Sequence, residues 1–251
     1  MNEYQLCAAI SELFGDLLDQ FKDAGEYGFN HRTGRTIQRL GYCTNLTPEL
    51  IEQAKDKQVD FIITHHDAWE FIFGMKEECL KRLQNYRIGH FYVHLPLDYA
   101  EFGTCNSLFK EIGNVAIIKQ SQHVNGTSTI GIGELTSSIS FDDFTARVAD
   151  VLHEDIKAWP YGQSMVKRIG MITGAGSNTN EIRSAKEQHC DVYMTGEKSL
   201  YTIQYAKFAG INLLVGSHTF TEIFGVRSFA QKLQAAYPSI ELVYLAEEHF
   251  E

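Results

Sequence analysis

The stretch Val59–Asp67, V-D-F-I-I-T-H-H-D, constrains this chain more than any other. Phe61, Ile62 and Ile63 form a continuous apolar run, the pattern of a short strand buried on both faces of a mostly parallel sheet. Open α/β sheets bind ligands in the crevice beyond the carboxyl ends of their strands. Thr64, His65 and His66 follow the run at once, so two imidazoles fall at that crevice. Neutral imidazole is the commonest protein metal ligand, and two side by side serve one ion or two neighbouring ions. A lone His-His pair is more often just a polar loop, so further ligands at matching places must decide.

The rest of the chain repeats the same grammar. Leu6, Ile10, Leu13, Leu17 and Phe21 fall at helical spacing, with Glu12, Asp16 and Asp19 between them, which predicts an amphipathic first helix. Asp23–Gly34 is polar and glycine-bearing and reads as a loop, followed by a strand over Thr36–Tyr42. Thr47 and Pro48 have the types of an N-cap and first helical residue, opening a helix to about Lys57. A helix over Glu77–Asn85 and a strand over Gly89–His94 come next. Asn106 is the predicted cap of a helix closed by Gly113, and Val115–His123 and Ser128–Leu135 are strand-like. Ser140 with Asp143 opens a further helix. Strands over Arg168–Thr173, Asp191–Thr195, Ile211–Val215 and Glu241–Leu245 alternate with helices over Asn180–His189, Ser199–Phe208 and Glu222–Gln234. Alternation in both halves predicts α/β layers. The expected division is an N-terminal α/β domain over 1–125 and a C-terminal one over 126–251, with 215–251 packing back on the first.

Composition excludes some functions. With 32 acidic against 22 basic residues the net charge is −10, and no Lys/Arg cluster supplies the basic face a nucleic-acid binder needs. No apolar run is long enough to span a bilayer, so no membrane partner is expected. Five cysteines, odd in number and without C-x-x-C, read as structural thiols in a reducing compartment. A cytoplasmic protein is expected.

The second signal is Gly216–Gly225, G-S-H-T-F-T-E-I-F-G. His218 follows a buried strand, as His65 does, and Glu222 lies one helical turn on, so imidazole and carboxylate can face one point. The competing reading is a capping box, Thr219-x-x-Glu222, in which Glu222 only satisfies a helix N-terminus. Asp98 stands just past the strand ending at His94. Together His65, His66, Asp98, His218 and Glu222 offer three imidazoles and two carboxylates at strand ends. Such a mixed N/O set suits Zn, Fe or Mn rather than an all-oxygen Ca or Mg site, and a carboxylate can bridge two cations. His94 is a further ligand candidate or an orienting residue, and Glu197, in Thr195-Gly196-Glu197, is a proton shuttle or an early-helix acid. Gly174–Asn178 (G-A-G-S-N) is an anion nest or, more simply, a tight βα turn.

These motifs resemble the dinuclear-metal family of GTP cyclohydrolase 1 type 2, also called Ngg-interacting-factor-three-like. The resemblance rests on I-I-T-H-H (Ile62–His66), H-x-x-x-D (His94–Asp98), M-T-G-E (Met194–Glu197) and Gly216–Gly225, with G-I-G-E-L (Gly131–Leu135) and G-A-G (Gly174–Gly176) consistent with it. It implies two interlocked α/β domains with layered sheets, flanking helices and a dinuclear metal site between them, assembled as a toroidal homohexamer. It implies two divalent transition-metal cations per subunit on His65, His66, Asp98, His218 and Glu222, with Glu222 bridging; Glu197 or His94 would then move protons. The implied activity is hydrolysis of a small polar substrate, a nucleotide favoured: water attacks C8 of the guanine ring of GTP, the ring opens and formate leaves. A non-catalytic metal-binding assembly or adaptor protein would satisfy the same ligands. The chain departs from the family pattern at Asn45, Asp67, Leu95-Pro96 and Tyr201.

Overall fold

The structure, a computed structural model, describes residues 1–124 and 127–249. Its chain forms two compact units, one of Met1–Gly103 with the segment from Gly225 onward, the other of Thr104–Phe224. In chain order the first unit holds α1 (Glu3–Phe14), α2 (Asp16–Gln20), β1 (Tyr27–His31), β2 (Arg39–Cys43), α3 (Pro48–Asp56), β3 (Phe61–Thr64), α4 (Met75–Tyr86), β4 (Gly89–Val93) and α5 (Leu95–Tyr99). The second holds α6 (Thr104–Ile112), β5 (Val115–Lys119), β6 (Gln122–Val124), β7 (Thr127–Thr129), β8 (Gly131–Ser140), α7 (Phe141–Leu152), β9 (Lys157–Trp159), β10 (Met165–Met171), α8 (Thr179–Glu187), β11 (Val192–Thr195), α9 (Leu200–Ala209) and β12 (Asn212–Val215). Helix α10 (His218–Ala236) contains the change of unit, and β13 (Glu241–Tyr244) ends in the first. The chain thus leaves the first unit and returns to it, an α/β protein of two units.

In the first unit the sheet order is β1-β4-β3-β2-β13 among the described residues. β2, β3, β4 and β13 are parallel, and β1 runs antiparallel at the edge. All four residues of β3 are buried, as its apolar run requires. Leu50, Ile51 and Ala54 of α3 and Cys79 and Leu83 of α4 pack with Ile62 and Cys43 in one core. A second packing centre joins Phe14 to Phe102 and Phe229, with ring centroids 5.2 and 5.1 Å away. The register aligns Cys43 with Thr64 and Thr64 with Tyr92, so these strands end at one level. Asn45, His65, His66 and His94 all follow those ends.

In the second unit the order is β5-β8-β10-β11-β12-β9, with β10, β11 and β12 parallel and the others antiparallel to their neighbours. Met171 pairs with Met194 and Thr195 with Val215, so the Gly174, Gly196 and Ser217 turns follow a second row of carboxyl ends. Helix α6 lies on β8, and its Cys105, Leu108 and Phe109 share a core with Leu135, Ile169 and Met171. That packing brings the start of the second unit to Thr104. The expected change of domain between 125 and 126 lies outside the described residues.

Several local expectations differ from the fold. The expected first helix to Phe21 is broken at Gly15 into α1 and α2, and Val115–His123 is two strands, β5 and β6. Within Asp23–Gly34, Tyr27–His31 is a strand rather than loop: β4 supplies its partner, and an edge strand needs only one. Asn106 is buried inside α6 rather than standing at its start, because the helix already begins at Thr104. Strand β8 runs on to Ser140, since β10 pairs it along that length. Helix α10 begins at His218, four residues before Glu222.

The G-I-G-E-L stretch has a packing cause. A Cβ on Gly133 would stand 2.5 Å from Val115 Cγ1 and 2.8 Å from Phe109 Cε1, so only glycine lets α6 and β5 close on β8. Gly133→Ala is expected to cost about 1–3 kcal/mol through overpacking, read from the denaturation midpoint; an unchanged midpoint would contradict the close approach.

Candidate metal centre

The paired histidines are fixed by their backbone before their rings come into play. The Thr44 carbonyl accepts both amides, His65 N at 3.1 Å and His66 N at 2.8 Å. Thr64 Oγ1 donates to the His66 carbonyl at 2.5 Å and lies 2.9 Å from His90 Nε2. His90 is fully buried, and desolvation pushes its pKa down to about 4, so it is neutral. With Thr64 donating to His66, His90 Nε2–H donates to Thr64, and His90 Nδ1 accepts from Asn30 Nδ2 at 3.1 Å. Asn30 also donates to Asp67, whose other oxygen meets Lys76 Nζ at 2.9 Å. Asp67 is thereby the outer anchor of the turn.

The rings follow. His65 Nδ1 donates to the Val93 carbonyl at 3.0 Å, which leaves the lone pair of the neutral ring on Nε2. His66 Nδ1 donates to Asn45 Oδ1 at 2.8 Å, with the same result. Asn45 is itself oriented, because its Nδ2 donates to Glu247 Oε1 at 2.8 Å. Burial raises the Glu247 pKa, against the bonds it accepts from the Thr44 amide and from Asn45. Asn45, a departure from the family pattern, is therefore a neutral acceptor placed on His66. Far-side hydrogen bonds of this kind fix the tautomer and orientation of metal-binding histidines.

One turn of α5 brings Asp98 back to the histidines. Leu97 N and Asp98 N both donate to the His94 carbonyl, at 2.8 and 3.2 Å, with Pro96 in the first turn. Asp98 Oδ1 lies 3.4 Å from His65 Nε2. Ligand atoms of His65, His66 and His94 all lie within 4.8 Å of one another. His94 Nδ1 bonds Glu26 Oε2 at 2.6 Å, a bond that lowers the Glu26 pKa against the effect of its burial.

The second unit builds its own cluster. His218 Nδ1 is 2.6 Å from Glu197 Oε1, and His218 Nε2 is 3.3 Å from Glu222 Oε2, which is buried. Burial works against charge on His218, but Glu222 and then Glu197 outweigh it and raise its pKa to about 10. The capping-box reading of Glu222 is overturned. The cap is Ser217, whose Oγ accepts the Phe220 amide at 3.2 Å, and Thr219 lies inside the helix. Glu222 is placed by close packing instead. A Cβ on Gly174 would overlap Glu222 Oε1 and stand 2.9 Å from His218 Nε2, and Gly174 has φ +64°. A Cβ on Gly196 would stand 2.7 Å from His218 Cα.

Gly174–Asn178 is a tight βα turn. Gly174 N donates to Thr221 Oγ1, and Gly176 N to Thr195 Oγ1, both at 2.9 Å, so these amides serve the fold rather than an anion. Asn178 caps α8 in a capping box with Glu181. Tyr201 is exposed on α9. The sequence reading missed Glu26, Asn30, His90 and Glu247, which lie far along the chain from the residues they support. The turn residue Asn45 showed only as a departure.

The donor set fits metal: oriented imidazoles in the first unit, and an imidazole flanked by carboxylates in the second. Metal on His218 Nε2 displaces a proton, so loading is expected to release protons and weaken as pH falls. In the metal-free protein the raised His218 pKa contributes stability that is complete below about 6.5 and lost as pH rises through about 10. Denaturation of the chelated protein at neutral pH and near pH 10 checks this. His218→Gln is expected to flatten the fall.

The chain is 28% identical over 247 residues to the GTP cyclohydrolase 1 type 2 homolog of Haemophilus influenzae, covering 94% of this chain and 95% of that one. It is 30% identical over 213 residues to the protein of that name from Pasteurella multocida, covering 81% and 82%. The solved structure of protein ybgI superposes with a TM-score of 0.86 at 22% identity, covering 99% of each chain, a likeness of fold. The family model Duf34/NIF3 (NGG1p interacting factor 3) matches residues 5–249. The chain belongs to the Duf34/NIF3 family.

Proposed function

We propose that this protein is a metal-dependent hydrolase of a small polar substrate, with a nucleotide the favoured class. It holds two divalent transition-metal cations, Zn, Fe or Mn, on His65, His66, Asp98, His218 and Glu222. The observation that carries the reading is that each ligand histidine already has its far nitrogen bonded: His65 to Val93, His66 to Asn45 and His218 to Glu197. A polar loop has no need of three such arrangements. The name GTP cyclohydrolase 1 type 2 homolog, given to relatives 28% and 30% identical, supports the nucleotide class.

When bound, the cations supply an activated water near neutral pH and polarise the substrate. The remaining work falls to the chain. Glu26 on His94 Nδ1 fixes the ring, so that Nε2 can take or return a proton, the arrangement of an oriented general base. Glu197 holds His218 through one carboxylate oxygen, and its side chain is 44% exposed, so its other oxygen can pass a proton to solvent. Glu222, buried, brings negative charge against the cations. In a chain of net charge −10, the cations are the source of positive charge for a polyanionic substrate. A toroidal homohexamer and a cytoplasmic location belong to the same proposal. Among the described residues no helix is long and apolar enough to cross a membrane.

Metal analysis and formate release from GTP test the reading together. Wild-type protein is expected to carry about two transition metals per chain and to turn over. His65→Ala should lose both metal and formate release. Glu222→Gln should lose metal, and its apo stability should fall by no more than the lost pairing with His218, because Ser217 and not Glu222 caps the helix. Full metal with no turnover across a substrate screen would favour the non-catalytic assembly. Unchanged metal in Glu222→Gln would remove Glu222 from the site. Light scattering at micromolar concentration checks the hexamer, which a monomer would refute.

A further inference from the structure

Directly after the paired histidines the chain displays aromatic rings to solvent. Phe71 is 72% exposed and Phe73 98%, while Trp69 is half-buried. Exposed rings in a slack loop would mean little, but this loop is built. Ala68 is buried in the core with α3 and α4. Ile72 N bonds Trp69 O at 3.1 Å and Met75 N bonds Ile72 O at 3.0 Å, so two tight turns follow each other. Lys76 Nζ ties both sides of the loop, to Asp67 at 2.9 Å and Glu70 at 2.6 Å. The rings also have an order. Trp69 lies 4.6 Å from the His66 ring at 40°, and Phe71 lies 5.3 Å from Trp69 at 30°. Two rings, Trp69 and then Phe71, thus step outward from the candidate metal ligand His66 towards water.

We propose that Trp69 and Phe71 form the stacking wall for the planar heteroaromatic base of the substrate, a purine nucleotide. The assignment rests on the hydrolase reading for its substrate class and on these rings for its residues. Aromatic faces bind a nucleobase through stacking and desolvation with no charge of their own, which suits an acidic chain whose positive charge is left to the cations. Continuity with His66 sets the occupant: a ring on this wall lies beside the ligand cluster. A phosphate has no partner among the exposed rings of this loop, whose one nearby ammonium, Lys76, already serves two carboxylates.

The chain has two tryptophans, so Trp159→Phe leaves Trp69 as the reporter. Metal-loaded Trp159→Phe protein is titrated with guanosine, GTP and inorganic tripolyphosphate while emission is followed. Guanosine and GTP are expected to quench Trp69, and tripolyphosphate is not. With wild-type Trp159 retained, GTP binding is read by calorimetry: Trp69→Ala should weaken it about tenfold, Trp69→Phe by no more than about threefold, with metal content unchanged in both. Equal GTP binding by Trp69→Ala with its metal intact would overturn the proposal. So would absence of quenching by guanosine at millimolar concentration, or an emission change that follows protein concentration alone and marks a contact between copies. Base-dependent quenching without turnover would uphold the wall and sink the hydrolase reading. Bound metal and turnover without such quenching would do the reverse.

Discussion

The Thr44 carbonyl accepting two successive amides, those of His65 and His66, is the contact on which the first ligand cluster depends. It exists because β2 and β3 pair in parallel with Cys43 opposite Thr64, so both chains leave the sheet at one level. The same register puts Asn45 under His66 and, one strand over, Val93 under His65. A slip of one residue would turn the β3 side chains to the opposite faces and remove all three partners at once. The fully buried apolar strand therefore sets the position of the polar residues that follow it.

The second cluster depends on backbone approach rather than on strand register alone. Gly174 and Gly196 let two βα turns press against the first turn of α10, where a side chain would meet Glu222 or His218. Ser217 caps that helix and leaves Glu222 to the centre. Both rows of strand ends thus present the same design. An imidazole beyond the strand ends has its far nitrogen bonded, His65 to the Val93 carbonyl, His66 to Asn45 and His218 to Glu197.

Membership of the Duf34/NIF3 family goes with the fold, and a function has to be argued from the residues. The departures from the family pattern meet specific local partners. Asn45 accepts from His66, Asp67 anchors the turn through Asn30 and Lys76, and Pro96 sits in the first turn of α5, where a missing amide is harmless.

Much of this was legible in the sequence. The apolar runs gave the buried strands, Thr47 and Ser140 marked their helix starts, and the five ligand candidates all fell beyond strand ends, because local periodicity and capping chemistry are written residue by residue. Other features were not legible. Tyr27–His31 became a strand only because β4 lay beside it, and helix α10 began early because Ser217 could cap it. Glu26 reaches His94 across 68 positions and Glu247 reaches Asn45 across 202, distances at which a single sequence carries no pairing signal. The sequence by itself determined which residue types stand at the strand ends. Only the tertiary structure decided which group holds Nδ1 of each imidazole, because that choice is made by hydrogen bonds between distant segments.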